Sequence, residues 1–323
     1  MAVWRPFLVW AIATGVLLGL FWLFAYGTGW PPALDSCVKD MSCYCEWFDL
    51  DKLRAAEASG TWWKGVQQPV NTYSNLYAVI SAGYVACRMW RDRKAGTNSS
   101  VIMSNWWMGD VWVFCVLFLG LGSMWFHGSI SQWVSWFDGF SMYVFTGFMV
   151  FYTLDRGFVR HGVSKKIRTW TFLTGYPVSV VLFTIVGAVG VPSEILIGTM
   201  IGAYIAIELF YARFVFAPQW SWAAFKRAPF LMWLGGLIAF GMAALFRALS
   251  TKPDDPWCTP ESFWQPHGLL WHTYAGVMAL CIYFYWREDA GGIGSLQAGA
   301  TGGSGGSGSA GGGTSSASGT VWT

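Results

Sequence analysis

Eight long runs of apolar residues govern what this chain can fold into, at roughly 6–27, 69–90, 106–127, 131–153, 169–191, 193–215, 228–249 and 266–286. Each holds about 20 residues, the length a helix needs to cross the hydrocarbon core of a bilayer. A backbone crossing lipid must satisfy every N–H and C=O internally, which leaves helices and closed barrels. Barrel strands are short and alternate apolar with polar positions, whereas these runs are uniformly apolar. The expected fold is therefore all-α, a polytopic membrane helical bundle. Composition agrees, with 54% of the 323 residues hydrophobic and 11% charged. No internal repeat is visible.

The basic residues predict a sidedness. Arg5 precedes the first run, Arg88, Arg91, Arg93 and Lys94 follow the second, and Arg156, Arg160, Lys165, Lys166 and Arg168 follow the fourth. Arg213, Lys226 and Arg227 follow the sixth, and Arg287 follows the eighth. All of these fall on one side of the membrane, so both termini are expected in the cytoplasm. The net charge of +3 is a consequence of this topology and does not point to nucleic acid. Ala25 and Gly27 form a small-x-small pattern of the kind found at signal cleavage sites. The apolar run before them is long for a signal, and a retained anchor over residues 1–28 is expected. Residues 29–68 then read as a non-cytoplasmic loop region and 69–287 as a seven-helix core. Residues 288–323 read as a disordered Gly/Ser-rich tail, because such a segment has almost no apolar surface to bury.

Cys37, Cys43, Cys45 and Cys258 fall in the two non-cytoplasmic loops, where an oxidising compartment permits disulfides, and their even number suggests pairing. Cys87, Cys115 and Cys281 sit within helices and read as small buried apolar residues.

Ionisable groups inside spans are costly, so each one points to function. Of the four histidines, His161 belongs to a basic loop and reads as solvated. His127 ends the third run, His267 opens the eighth, and His272 lies a turn or so deeper. These two runs travel in opposite directions, so all three imidazoles arrive at the same non-cytoplasmic level. Asp138, about two turns into the fourth run, reaches a similar depth. Three neutral imidazoles with an open fourth position suit a catalytic zinc site, where a water becomes acidic enough to react near neutral pH. Asp138 is either a further ligand or the base that takes the water's proton. With three imidazoles present, the base is the assignment. Ser123 lies one turn before His127 on the same face. It either directs its hydroxyl at a substrate carbonyl oxygen as charge builds there or bonds its own backbone. Asn71, Ser74 and Asn75 share a helical face and read as structural inter-helix hydrogen-bonding groups. Asp110 reads as a carboxylate favoured near a helix N-terminus, and Glu208, deep in the sixth run, has no assignment. The eighth run holds no lysine for a retinal Schiff base, and Gly/Pro interruptions in paired helices, typical of transporters, are absent.

Four segments together resemble the alkaline ceramidase family within the CREST superfamily of seven-helix membrane hydrolases. QPVNTYSNLY (68–77) is similar to the family's NTxSN signature, and GSMWFH (122–127) to its SxxxH motif. Asp138 stands where the family has its third-helix aspartate, and QPHGLLWH (265–272) is similar to its final histidine pair. The resemblance covers roughly 43–287 and leaves the first helix as an addition. It implies a zinc ion held by His127, His267 and His272, assisted by Ser123 and Asp138, in an enzyme hydrolysing ceramide to a sphingoid base and a fatty acid. It also implies a disulfide between Cys45 and Cys258. The membrane lipid substrate would enter the bundle from the side, with Trp125, Trp133 and Trp136 suited to a bilayer interface at the metal end. Related superfamily members act on ester bonds or serve as progestin and adiponectin receptors.

The sequence departs from the family in two places. The family's last motif is HxxxH, whereas His267 and His272 are five apart, which in a regular α-helix separates them by about 140°. They meet one ion either if His267 precedes the first helical turn, with Pro266 marking the entry, or if a π-bulge lies between them. Some relatives also bind calcium through acids near a CE dipeptide. Glu46 matches, Cys43, Phe48 and Gln68 occupy the adjoining positions, and Asp49 and Asp51 are near enough to substitute.

Overall fold

The computed structural model describes residues 3–36, 45–96, 100, 102, 106–212 and 228–288. Within them the chain is helical, with no strand beyond two isolated bridges. Helix α1 (Arg5–Trp22) continues as a π-turn over Leu23–Thr28, and the short α2 (Leu50–Ser59) follows. The second apolar run breaks at Asn75 and Leu76 into α3 (Pro69–Ser74) and α4 (Tyr77–Ala95). Then come α5 (Trp106–Ser129), α6 (Gln132–Arg160), α7 (Lys165–Trp170) and α8 (Tyr176–Ala188), the last two joined by a π-turn. Helix α9 (Ser193–Ala206) ends in a π-turn over Ile207–Ala212, α10 is Ala228–Ser250, and a π-turn over Pro266–Trp271 leads into α11 (His272–Arg287). Six segments are long and apolar enough to cross a membrane: Arg5–Thr28, Trp107–Ser129, Gln132–Arg160, Lys165–Ala188, Ser193–Ala212 and Pro229–Ser250. The protein is thus an all-α polytopic bundle. The second and eighth runs do not qualify on their own, because one is broken and the other opens on a polar π-turn.

Helix α5 is the hub, packed against α1, α3, α4 and α6, while α11 lies between α10 and α4. The α5–α6 crossing requires a glycine: a Cβ on Gly122 would stand 2.7 Å from the Ser141 Cβ and 2.9 Å from the Phe137 carbonyl oxygen. Small residues at such crossings let membrane helices approach closely. Only Ile130 and Ser131 join the two helices, and Ile130 adopts φ 55°, an unfavourable left-handed conformation for a β-branched residue. Segment 33–35 clamps this turn, with Asp35 N–H donating to the Ile130 carbonyl (3.3 Å) and Gln132 N–H to that of Ala33 (2.8 Å). His127 and Asp138 are thereby carried on either side of one braced corner.

At the opposite ends of these helices the charges are paired. Asp110, read above as an N-terminal carboxylate, joins three helices through Arg5 (3.2 Å) and Arg93 (3.4 Å). Arg287 grips Asp92 with bonds of 2.7 and 3.0 Å. Arg168 grips Asp155 with two of 2.8 Å. Arg156 departs from its expected place in a loop, because α6 runs on to Arg160 and carries Arg156 into the core beside Glu208. His161 is exposed and stacks on Tyr211.

Cys45 and Cys258 form a disulfide, with Cα atoms 5.4 Å apart. Of the helical cysteines, Cys115 is buried, Cys281 partly so, and Cys87 faces outward, contrary to its reading as a buried residue. An apolar thiol is tolerated on such a surface. Trp133 and Trp136 are exposed as an interface requires, whereas Trp125 packs inward against Phe24 and Trp30 and donates to the Leu17 carbonyl at 3.2 Å. Cys37, Cys43, Arg213, Lys226, Arg227 and residues 289–323 lie outside the described residues.

Candidate metal centre

His127, on the last full turn of α5, meets His267 and His272 from the start of the last rod. The π-turn over Pro266–Trp271 brings them together: its i→i+5 hydrogen bonding places residues five apart nearly one above the other, where a regular α-helix would turn them away. The turn needs Gly268, because a Cβ there would stand 2.7 Å from the Asn71 Oδ1. The ring centroids form a nearly equilateral triangle of 5.8, 5.9 and 5.9 Å, and the rings meet at 69–74°. One ligand nitrogen from each lies within 4.8 Å of the other two, and all three residues are buried. Among the described residues this is the only group of histidines, cysteines and acids converging in this way.

The outer nitrogens explain which inner ones face the centre. His127 Nδ1 lies 2.7 Å from the Gln68 Oε1, which only accepts, so Nδ1 carries the proton. Gln68 is itself oriented by its Nε2 donating to the Glu46 carbonyl at 3.3 Å. His272 Nδ1 lies 2.6 Å from the Ser74 Oγ, whose own proton goes to the Asn71 carbonyl at 3.1 Å. His267 Nδ1 lies 3.4 Å from the Thr251 Oγ1, which donates to the Arg247 carbonyl. Each imidazole thus has a protein oxygen within reach of its Nδ1, the kind of support that orients histidine ligands in metal sites. His272 Nε2 is buried without any hydrogen-bond partner. A buried acceptor left in that state is unfavourable by about 1–3 kcal/mol, and a cation at the centre removes the deficit.

Asp138 is outside this triad, and its Oδ1 is likewise buried and without a partner. Ser123 is within hydrogen-bond reach of the same carboxylate. Both line an apolar chamber of about 40 Å³ together with His272, Asn75 and Tyr77, enough space for a water or two. Tyr77, not singled out by any motif, stacks on His272 at 6.1 Å.

The polar residues of α3 act locally. Asn75 donates to the Asn71 carbonyl at 2.7 Å, which fits a structural role. Ser74 goes further, because its hydroxyl reaches the candidate ligand His272. The acids considered for calcium are not gathered into one ligand set. Asp49 caps α2 through Lys52 N–H at 3.0 Å, Asp51 is exposed, and Glu46 accepts from the amides of Val70 (2.7 Å) and Asn71 (2.8 Å). Burial outweighs those amide bonds and pushes the Glu46 carboxyl up to about 7. The disulfide and the Trp47 N–H bond to the Pro260 carbonyl (3.1 Å) tie the approach to His267 onto the Glu46 segment.

The roles of Gln68, named above only within a motif segment and at a calcium position, and of Thr251 appear only in the fold, because each serves a ring from another element. The one sequence trace is the Gln-Pro dipeptide that opens both α3 and the last π-turn. No family model, curated protein or solved structure matches this chain.

Proposed function

We propose that the protein is a zinc-dependent intramembrane hydrolase of lipid amides, cleaving ceramide to a sphingoid base and a fatty acid. The observation that carries this reading is the triad of buried imidazoles, converging beside a carboxylate and a hydroxyl that open into one apolar chamber. His127, His267 and His272 would hold the ion through Nε2, with Gln68, Thr251 and Ser74 keeping the tautomers. When bound, zinc supplies a Lewis acid that polarises the amide carbonyl and acidifies a water.

Asp138 accepts a proton from the attacking water as its oxygen bonds the carbonyl carbon, then returns that proton to the nitrogen as the C–N bond breaks. Ser123 turns from Asp138 toward the carbonyl oxygen and donates as negative charge grows there. The apolar walls from Leu119, Met142, Phe145 and Met278 keep bulk water from competing at the reacting atoms. Placing the histidine end at the non-cytoplasmic face, with the paired arginines toward the cytoplasm, belongs to the same reading.

Elemental analysis combined with a lipid-hydrolysis screen tests it. Purified protein is expected to carry about one zinc per chain. His127→Ala should lose both the metal and the hydrolysis of a fluorescent ceramide in detergent. Asp138→Asn should keep zinc and lose about 10²- to 10⁴-fold in turnover. Zinc retained by the His127 variant removes that ligand. Undiminished turnover in the Asp138 variant removes the base, and preference for ester analogues moves the activity to another lipid class.

A further inference from the structure

Beside the chamber lies a second, wider space of about 390 Å³ between α9 and α10. Ile197, Phe240 and Trp271 line both spaces and so form the partition between them. At the outer space Arg247 Nη2 binds the Glu194 Oε1 at 2.6 Å, and the guanidinium lies 5.8 Å from the Trp271 ring centroid. The Arg247 side chain is 24% exposed, whereas that of Glu194 is 55% exposed. Arg247 also lies within electrostatic reach of His127, His267 and Asp138. Its carbonyl accepts the hydroxyl that supports His267.

A carboxylate resting on an arginine beside an indole, across an apolar partition from the chamber, shows what the arginine is suited to hold. The geometry points to Arg247 as the recognition site for the carboxylate of a long-chain fatty acid, with Glu194 as a built-in competitor that latches the mouth until the lipid's head replaces it. Planar guanidinium pairs with carboxylate in two parallel bonds, and here the Trp271 ring flanks it at 5.8 Å. The acyl chain then lies toward Ile197 and Phe240, along the partition. Gly198, on the facing wall, opens onto empty space, so the mouth admits a chain without rearranging backbone.

The choice of a fatty acid rests on the proposed hydrolysis, which releases one. The binding test requires neither zinc nor turnover, so the two can fail separately. Detergent-solubilised protein is titrated with oleate and with oleyl alcohol, the same chain without the charge. Oleate is expected to bind more tightly than the alcohol, and Arg247→Gln to abolish that preference, a loss of roughly tenfold or more in oleate affinity. Glu194→Gln, at an exposed position that leaves the fold intact, should tighten oleate several-fold and leave the alcohol unchanged. Gly198→Leu should weaken both ligands alike by narrowing the mouth. Equal binding of acid and alcohol by the unaltered protein, or oleate affinity unchanged or weakened in Glu194→Gln, overturns the proposal.

Discussion

Around Tyr285, near one end of α11, every charge has a neighbour: the Arg156 guanidinium donates to Glu208 at 2.7 Å and to the Tyr285 hydroxyl at 3.1 Å. Tyr285 in turn donates to the other Glu208 oxygen. Around His272, about 20 Å away along the same helix, the outer nitrogens are equally well served, yet a ring nitrogen and a carboxylate oxygen face an interior with nothing to bond. Both clusters are buried among aromatic side chains, and both use a π-turn to aim a residue that a regular helix would misdirect. The difference lies in closure. A buried ion pair whose bonds are all made within the protein has no capacity left for a ligand, whereas the histidine cluster keeps an unpartnered ring nitrogen beside an unpartnered carboxylate oxygen. Burial and charge do not by themselves mark a site; what sets the histidine cluster apart is that several potential ligand atoms converge there and one is left without a partner.

Breaking the closed cluster should have the largest effect. Glu208→Ala leaves Arg156 buried and uncompensated, and a loss of about 3–5 kcal/mol is expected in thermal or denaturant unfolding in detergent. Arg156→Met combined with Glu208→Leu should recover most of it. If the single variant unfolds like the parent, the cluster is not closed by that pair. The open cluster should respond to its guest instead. Adding zinc at about a thousand times its dissociation constant to metal-stripped protein should stabilise it by about 4 kcal/mol, and His272→Ala should erase the response. A zinc-independent melting temperature would make the two clusters equivalent after all.

A finer distinction lies in the supporting atoms. Gln68→Ala and Ser74→Ala should each weaken metal affinity by about 10- to 100-fold while leaving the unfolding of metal-free protein nearly unchanged. Isothermal titration with zinc measures this, and unaltered affinity would show that the tautomers are set elsewhere. The smallest expected effect is a pH dependence at Glu46. Its carboxyl sits near 7 in the folded protein against 4.5 when unperturbed, so the folded state favours the protonated form. Stability is therefore full below about 4.5 and declines as pH rises through 7, by on the order of 1–3 kcal/mol. Glu46→Gln should flatten that slope, and a parallel slope in the variant would place the titration on another group.

Depth was legible in advance and direction was not. Run lengths and the opposite travel of the third and eighth runs put His127, His267 and His272 at one level, because position along a spanning helix converts directly into depth. The five-residue spacing left their azimuth open, since the local sequence is compatible with either a delayed helix start or a π-turn. Packing of Gly268 against Asn71 settled it in favour of the π-turn. Arg156 shows the same limit from the other side: its position beyond an apolar run looks like a loop, and only Glu208 and Tyr285, 52 and 129 residues away in the chain, make its burial tolerable.

The amino-acid sequence by itself determined that the chain is a helical membrane bundle and that its costly polar groups gather at defined levels, because hydrophobic length and residue type act locally. The tertiary structure alone decided which imidazole nitrogens face inward, which charges neutralise one another, and which buried atoms are left wanting a ligand. Those are properties of pairs and triples of side chains far apart in the chain, and a buried lone pair or charge acquires its meaning only from what stands next to it.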